Sequence, residues 1–174
     1  MKKWLVLLAV LGLLLAGCGA RETFETVGDV YVQAQTPKMQ QVVLDLSRSA
    51  AVAVMQSEDG GTLYFCDGYT VTVQTMASGD LNRTLLETTG FPRDSLRPLE
   101  TSVGEAKRYD CVWTAAGEGE EQVGRAAVID DGNYHYVVTV MADASDAKDL
   151  AGEWQRLLDS VRILPEGMQV NTGS

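Results

Sequence analysis

Residues 122–142, QVGRAAVIDDGNYHYVVTVMA, decide the fold. Two runs of β-branched, aromatic and small apolar residues flank Asp131-Gly132, a dipeptide that favours a two-residue hairpin loop of type I′. With that loop Asp130 faces Asn133, Ile129 faces Tyr134 and Val128 faces His135. Side chains alternate across a strand. One sheet face therefore takes Val123, Ala127, Ile129, Tyr134, Tyr136, Val138 and Val140, and the other takes Gly124, Ala126, Val128, His135, Val137, Thr139 and Met141. The first face is bulky and apolar apart from Arg125. The second is small at Gly124 and Ala126, which would let a helix pack closely. Both faces are expected to be covered at least in part.

The same period of two recurs upstream, in residues 27–33, 40–46, 51–56, 62–66, 69–76, 96–101 and 105–115, where Val, Tyr, Thr and Ile dominate. Two segments break it. Over 80–89, Leu81, Leu85, Leu86 and Thr88 keep helical spacing; Ser78 or Asp80 can cap the start, and Gly90, Phe91 and Pro92 mark the stop. Further on, Leu150, Trp154, Leu157, Leu158 and Val161 form one apolar stripe over about four turns, with Ser145 or Asp146 as the cap. Residues 161–164 add a last short strand. The pattern predicts an α+β fold, a mainly antiparallel sheet with two α-helices packed on it.

The chain opens on Lys2 and Lys3, followed by an unbroken apolar run from Trp4 to Gly17 and then Leu15-Ala16-Gly17-Cys18. That tetrapeptide resembles the lipobox of bacterial lipoproteins. The resemblance implies a diacylglyceryl group on the Cys18 sulfur and a cut just before it. On this reading residues 1–17 are a signal peptide, 18–26 a lipidated tether, 27–164 a single domain and 165–174 a frayed polar tail. The alternative is an uncleaved span, which needs roughly 20 apolar residues. The run from residue 4 to 20 has 17, three of them glycine, before Arg21 and Glu22 end it. The lipid would be the link to the membrane, on the extracytoplasmic face.

Loss of Lys2 and Lys3 with the leader moves the formal charge from −10 to −12. So acidic a surface argues against nucleic acid and against lying flat on anionic lipid. With Cys18 acylated, Cys66 and Cys111 remain. An oxidising compartment favours a disulfide between them, worth roughly 4 kcal/mol in the chain-entropy model for a loop of this length. Two separate buried thiols are the other reading, and the sequence gives no distance to choose by.

Reactive chemistry is hard to find. His135 is the sole histidine and no G-x-S-x-G elbow accompanies it, so it reads as a structural or rim residue. One histidine and two cysteines are a poor zinc set. The Asp143, Ser145, Asp149 group and Asp130-Asp131-Gly132-Asn133 depart from the twelve-residue calcium loop; capping and a hairpin turn account for both. The acidic 117–121 loop would repel phosphate. Arg93, Arg97, Lys107 and Arg108 either gather into a basic spot or stand as isolated surface charges. Tyr109, Cys111 and Trp113 share one strand face, as core packing or as an exposed ligand platform. No cofactor, metal or catalytic residue is expected.

From Gly104 to Val161, on the strength of residues 109–113 and 130–142, the chain is similar to small predicted lipoproteins of Gram-positive bacteria, and the order of elements loosely resembles the PsbP-like fold. These features predict a non-enzymatic protein-interaction or accessory module of the cell envelope. A small-molecule or ion binding lipoprotein is the alternative, and a carboxylate-based hydrolase, drawn from the 24 acids, the third.

Overall fold

The computed structural model describes residues 24–27, 30–33, 38–46, 51–56, 61–116 and 119–164. Residues 1–23, with Cys18 and the expected leader, and residues 165–174 lie outside them. The chain divides into two compact units, Met1–Pro37 and Lys38–Ser174. In the first, Phe24–Val27 (β1) pairs antiparallel with Val30–Gln33 (β2), from Phe24↔Gln33 to Val27↔Val30. The alternation over 27–33 predicted one strand. Two occur, on either side of Gly28-Asp29, a hairpin dipeptide in its own right.

The second unit holds Gln41–Val43 (β3), Val52–Gln56 (β4), Thr62–Phe65 (β5), Thr70–Ala77 (β6), Leu81–Thr89 (α1), Arg93–Leu96 (α2), Leu99–Val103 (β7), Ala106–Ala116 (β8), Glu121–Asp130 (β9), Tyr134–Asp143 (β10), Ala144–Ser160 (α3) and Arg162–Leu164 (β11). Seven strands form one sheet in the order β4-β5-β6-β10-β9-β8-β7, and every neighbouring pair is antiparallel. β11 and β3 make a separate two-stranded ladder. The α+β expectation holds, with α2 as an additional short helix. A strand was expected over 96–101. Instead Asp94 sits in the first turn of α2, Arg97 leaves it in the left-handed region at φ 47°, and the strand starts at Leu99.

Each sheet face carries a core. On one, Val71, Ala127, Ile129, Tyr136, Val138 and Val140 pack against Trp154, Leu157, Leu158 and Val161 from α3 and its end. On the other, Tyr109, Cys111, Trp113, Ala126, Val128 and Val137 pack against Leu85 of α1. The face assignment read from residues 122–142 is therefore correct, but its register is not. Tyr136 faces Ile129 and Val137 faces Val128, a two-residue slip that preserves the faces. The loop is Gly132-Asn133, with positive φ at Gly132 (89°) and not at Asn133, the sign pattern of a type II′ turn. The cause is the Asp131 side chain, whose Oδ1 accepts the amides of Asn133 (2.9 Å) and Tyr134 (2.8 Å).

Gly124 also has a different use from the one expected. It stands opposite Trp113 in β8, and a Cβ there would overlap the indole. The missing side chain makes room for a ring on the neighbouring strand, not for a helix. The helix stripe on α3 lies where predicted, although its N-cap is Asp143, extended at φ −63°, ψ 145° and without a side-chain cap bond. β10 runs straight into α3, so Ser145 and Asp146 are already inside the helix.

Asp131 also holds the β3 segment. Its Oδ2 accepts the Tyr136 hydroxyl at 2.9 Å and Gln40 Nε2 at 3.0 Å, and the Tyr136 hydroxyl accepts the Gln40 amide at 2.9 Å. Burial alone would push the Asp131 carboxyl up. The hydrogen bonds to its charged form outweigh that and hold it below the usual carboxylate range. A depressed folded value means the stabilisation is complete above the unfolded value near ~4 and fades as pH falls through the folded one. Acid unfolding of Asp131→Asn should therefore lose part of the steepness seen below about pH 4. A wild-type acid limb superimposable on the variant's would contradict this.

Candidate functional site

The residues singled out from sequence do not converge. Cys66 and Cys111 are free thiols, and the predicted bridge is corrected on geometry. Cys66 follows β5 and packs with the α3-side core, whereas Cys111 lies in β8 within the α1-side core. The order β5-β6-β10-β9-β8 puts four strand spacings between their strands, roughly 19 Å, against less than 7 Å for a disulfide. Burial pushes the Cys111 thiol up to about 11. The chain thus keeps two unbonded cysteines because its topology places them on opposite faces.

His135 is fully buried between the sheet and α1, not on a rim. Its Nδ1 lies 2.6 Å from Thr84 Oγ1 of α1, and its Nε2 is 3.7 Å from Asp130 Oδ2. Tyr109 and Trp113 are 6% and 7% exposed, which settles them as core and removes the ligand platform. The Arg93 guanidinium lies 5.9 Å from the Tyr109 ring centre, and exposed Lys107 approaches Glu100 at 3.9 Å. Arg108 points to the opposite face, since neighbours on a strand alternate. The four cations therefore do not gather into one spot, and Arg97 lines a hollow with Leu99, Asp110 and Arg125. Among the described residues no three His, Cys, Asp or Glu side chains are placed to hold a metal ion. Asp130 Oδ1 accepts from Ser78 Oγ and from the Gly132 amide.

The structure instead assembles a cleft that the sequence did not announce. It runs beside α3, over β7 and β8, with a volume of about 640 Å³, and continues into a hollow of about 300 Å³ that shares Leu99, Asp110 and Arg125. On the α3 side of β8 the alternation presents Arg108, Asp110 and Val112 opposite Ile129, Ala127 and Arg125 of β9. α3 covers β10, part of β9 and the Ala106 and Arg108 positions of β8, and leaves Leu99 of β7 67% and Val112 of β8 55% exposed. Gln155 and Asp159 come from the near side of α3, and Arg162 from the start of β11.

Arg108 is the buried anchor, 7% exposed. Its Nε and Nη2 donate to the Asp110 carboxylate at 2.7–3.1 Å, and Nη1 donates to the Leu158 carbonyl at 2.9 Å. It joins the sheet to the C-terminal turn of α3, where carbonyls lack helical partners and a cation is favoured. Arg125 donates to Gln155 Oε1 at 2.7 Å, and Arg162 to the carbonyls of Asp159 and Val161. Three guanidinium groups against two carboxylates thus line a wall of a chain whose total charge is −10. Such a lining can take up carboxylate-bearing groups through bidentate bonds. The hints in the sequence were Arg125, the single charge on an apolar sheet face, and Arg108, one of the four cations considered for a basic spot.

No protein-family model matches this chain, and no curated protein matches it. Some solved structures do. LpqN of Mycobacterium tuberculosis, described as involved in cell envelope biogenesis, superposes with a TM-score of 0.49 at 13% identity, over 83% of this chain and 91% of that one. A Bacteroides thetaiotaomicron protein gives 0.47 at 13% identity over 69% of this chain, which spans only 44% of that protein. The Saccharomyces cerevisiae Ran-binding protein Mog1p gives 0.43 at 12% identity, over 74% and 97%. None of these values transfers a site or an activity.

Proposed function

We propose that this chain is a lipid-anchored, extracytoplasmic interaction module of the cell envelope, without catalytic activity of its own, and that a partner protein docks on the cleft between α3 and β7–β8. The address is supported by Lys2, Lys3, the apolar run and the lipobox ending at Cys18. The observation that carries the docking role is the Arg108, Arg125 and Arg162 lining beside exposed Leu99 and Val112. Apolar side chains left bare next to fixed charges suit a polar-rimmed interface.

A small-molecule role is the second reading. The cleft volume falls within the roughly 300–1,000 Å³ of small-ligand sites. Against it, the walls are charged and open, where such sites are mostly apolar and enclose their ligand.

The address is tested by feeding cells an alkyne fatty acid. Label should enter the wild type and be absent from Cys18→Ser; equal labelling, or an intact Met1 by mass spectrometry, overturns it. The module is tested by chemical crosslinking in intact cells. Reproducible adducts reduced by Arg125→Glu with Arg162→Glu are expected, and adducts indifferent to that double variant would refute docking at the cleft.

A further inference from the structure

Resting on that docking reading, we propose that β7 receives an extended, acidic segment of the partner protein as an eighth strand, with its carboxylates directed into the arginine-lined cleft. β7 ends the sheet, and among the described residues its ladder partner is β8. Val103 and Ala106 flank the two-residue Gly104-Glu105 loop, so they form the hydrogen-bonded pair that closes the hairpin. The pattern then alternates. Leu99, Thr101 and Val103 turn their backbone groups toward β8, and Glu100 and Ser102 turn theirs away from the sheet.

Natural edges are commonly blunted by proline, lysine or a bulge. Residues 99–103 contain neither proline nor lysine, and their register with β8 is unbroken. Leu99 through Ser102 are exposed. Leu99, Thr101 and Val103 also border the cleft, so alternate side chains of a strand added at this edge would enter it. Arg108 is already tied to Asp110, leaving Arg125 and Arg162 as the cations within reach, on a chain otherwise strongly acidic. That inversion of sign selects a strand with acidic side chains on one face.

The test uses the full chain in neutral detergent micelles and a fluorescein-labelled peptide, Thr-Glu-Val-Glu-Val-Glu-Thr, read by anisotropy. Saturable binding is expected, at least tenfold weaker for the same peptide with Lys in place of Glu. Ser102→Pro removes an outward amide that no strand among the described residues uses, so it should weaken binding at least tenfold while leaving the thermal midpoint in place. Arg125→Glu with Arg162→Glu should weaken it as much, through charge alone. Absence of saturable binding overturns the proposal, as does binding that survives both variants. A concentration-dependent dimer lost in Ser102→Pro, without peptide binding, would assign the edge to a second copy and overturn it too.

A photocrosslinking residue placed in cells at Thr101, or at exposed Glu87 of α1 as reference, separates this proposal from the reading beneath it. Adducts at Glu87 but not at Thr101 refute strand addition and leave an interaction module that uses another face. Adducts at neither position count against both.

Discussion

Gly124→Val is expected to lower the stability of the Lys38–Ser174 unit by about 3 kcal/mol, at the upper end of what overpacking costs. The reason lies on the next strand. Gly124 pairs with Trp113, and the space a Cβ would need is filled by the indole. Trp113 is 7% exposed and packed with Leu85, Tyr109 and Val137. It must leave that position or force β8 and β9 apart. For a domain of this size each kcal/mol moves the thermal midpoint by roughly 2–4 °C, so a fall of about 10 °C should be seen by circular dichroism. The near-ultraviolet signal should weaken with it, since Trp113 loses its fixed setting. Combining Gly124→Val with Trp113→Ala should give less than the sum of the single losses, because the valine then occupies part of the vacated space. Strict additivity, or a midpoint within 2 °C of wild type, would show that the glycine is not there for the ring.

Trp154→Ala is expected to cost still more, about 4 kcal/mol, within the usual range for deleting a buried large aromatic. Trp154 is 1% exposed and lies at the centre of the α3-side core. Its ring meets Tyr69 edge to face, with centroids 6.1 Å apart at 61°. Alanine would remove the contact that fastens α3 to the sheet, and the backbone on either side is too constrained by Leu157, Leu158 and Val161 to close the gap. Against a total stability of about 5–15 kcal/mol the loss is severe. Trp154→Phe should be far milder, under about 1.5 kcal/mol. The Trp154 Nε1 proton finds no acceptor among the described residues, and phenylalanine relieves that buried donor while keeping most of the packing. Urea unfolding decides the matter: a lower midpoint at unchanged slope for the alanine variant, and near-wild-type behaviour for the phenylalanine one. Equal losses in the two variants would mean that the indole acts through its nitrogen rather than its bulk.

The amino-acid sequence by itself determined the local elements. Period two assigned the strands from β8 to β10 and sorted their residues onto the two faces. Asp80 and Gly90 bounded α1, and the Leu150-to-Val161 stripe located α3. All of these follow from rules that act within a few residues, where backbone geometry alone fixes which side chains share a face. The tertiary structure decided the rest. The turn register depended on the Asp131 carboxylate, whose second oxygen is engaged by Tyr136 and by distant Gln40. Strand order separated Cys66 from Cys111, although the export expected from the first residues suggested a pair. The cleft needed Arg108, Arg125 and Arg162, from β8, β9 and β11, to meet beside an exposed strand at the edge of the sheet. Alternation can tell which face a side chain takes. It cannot tell which other strand will lie beside it, because that is set by long-range packing, which local periodicity does not encode.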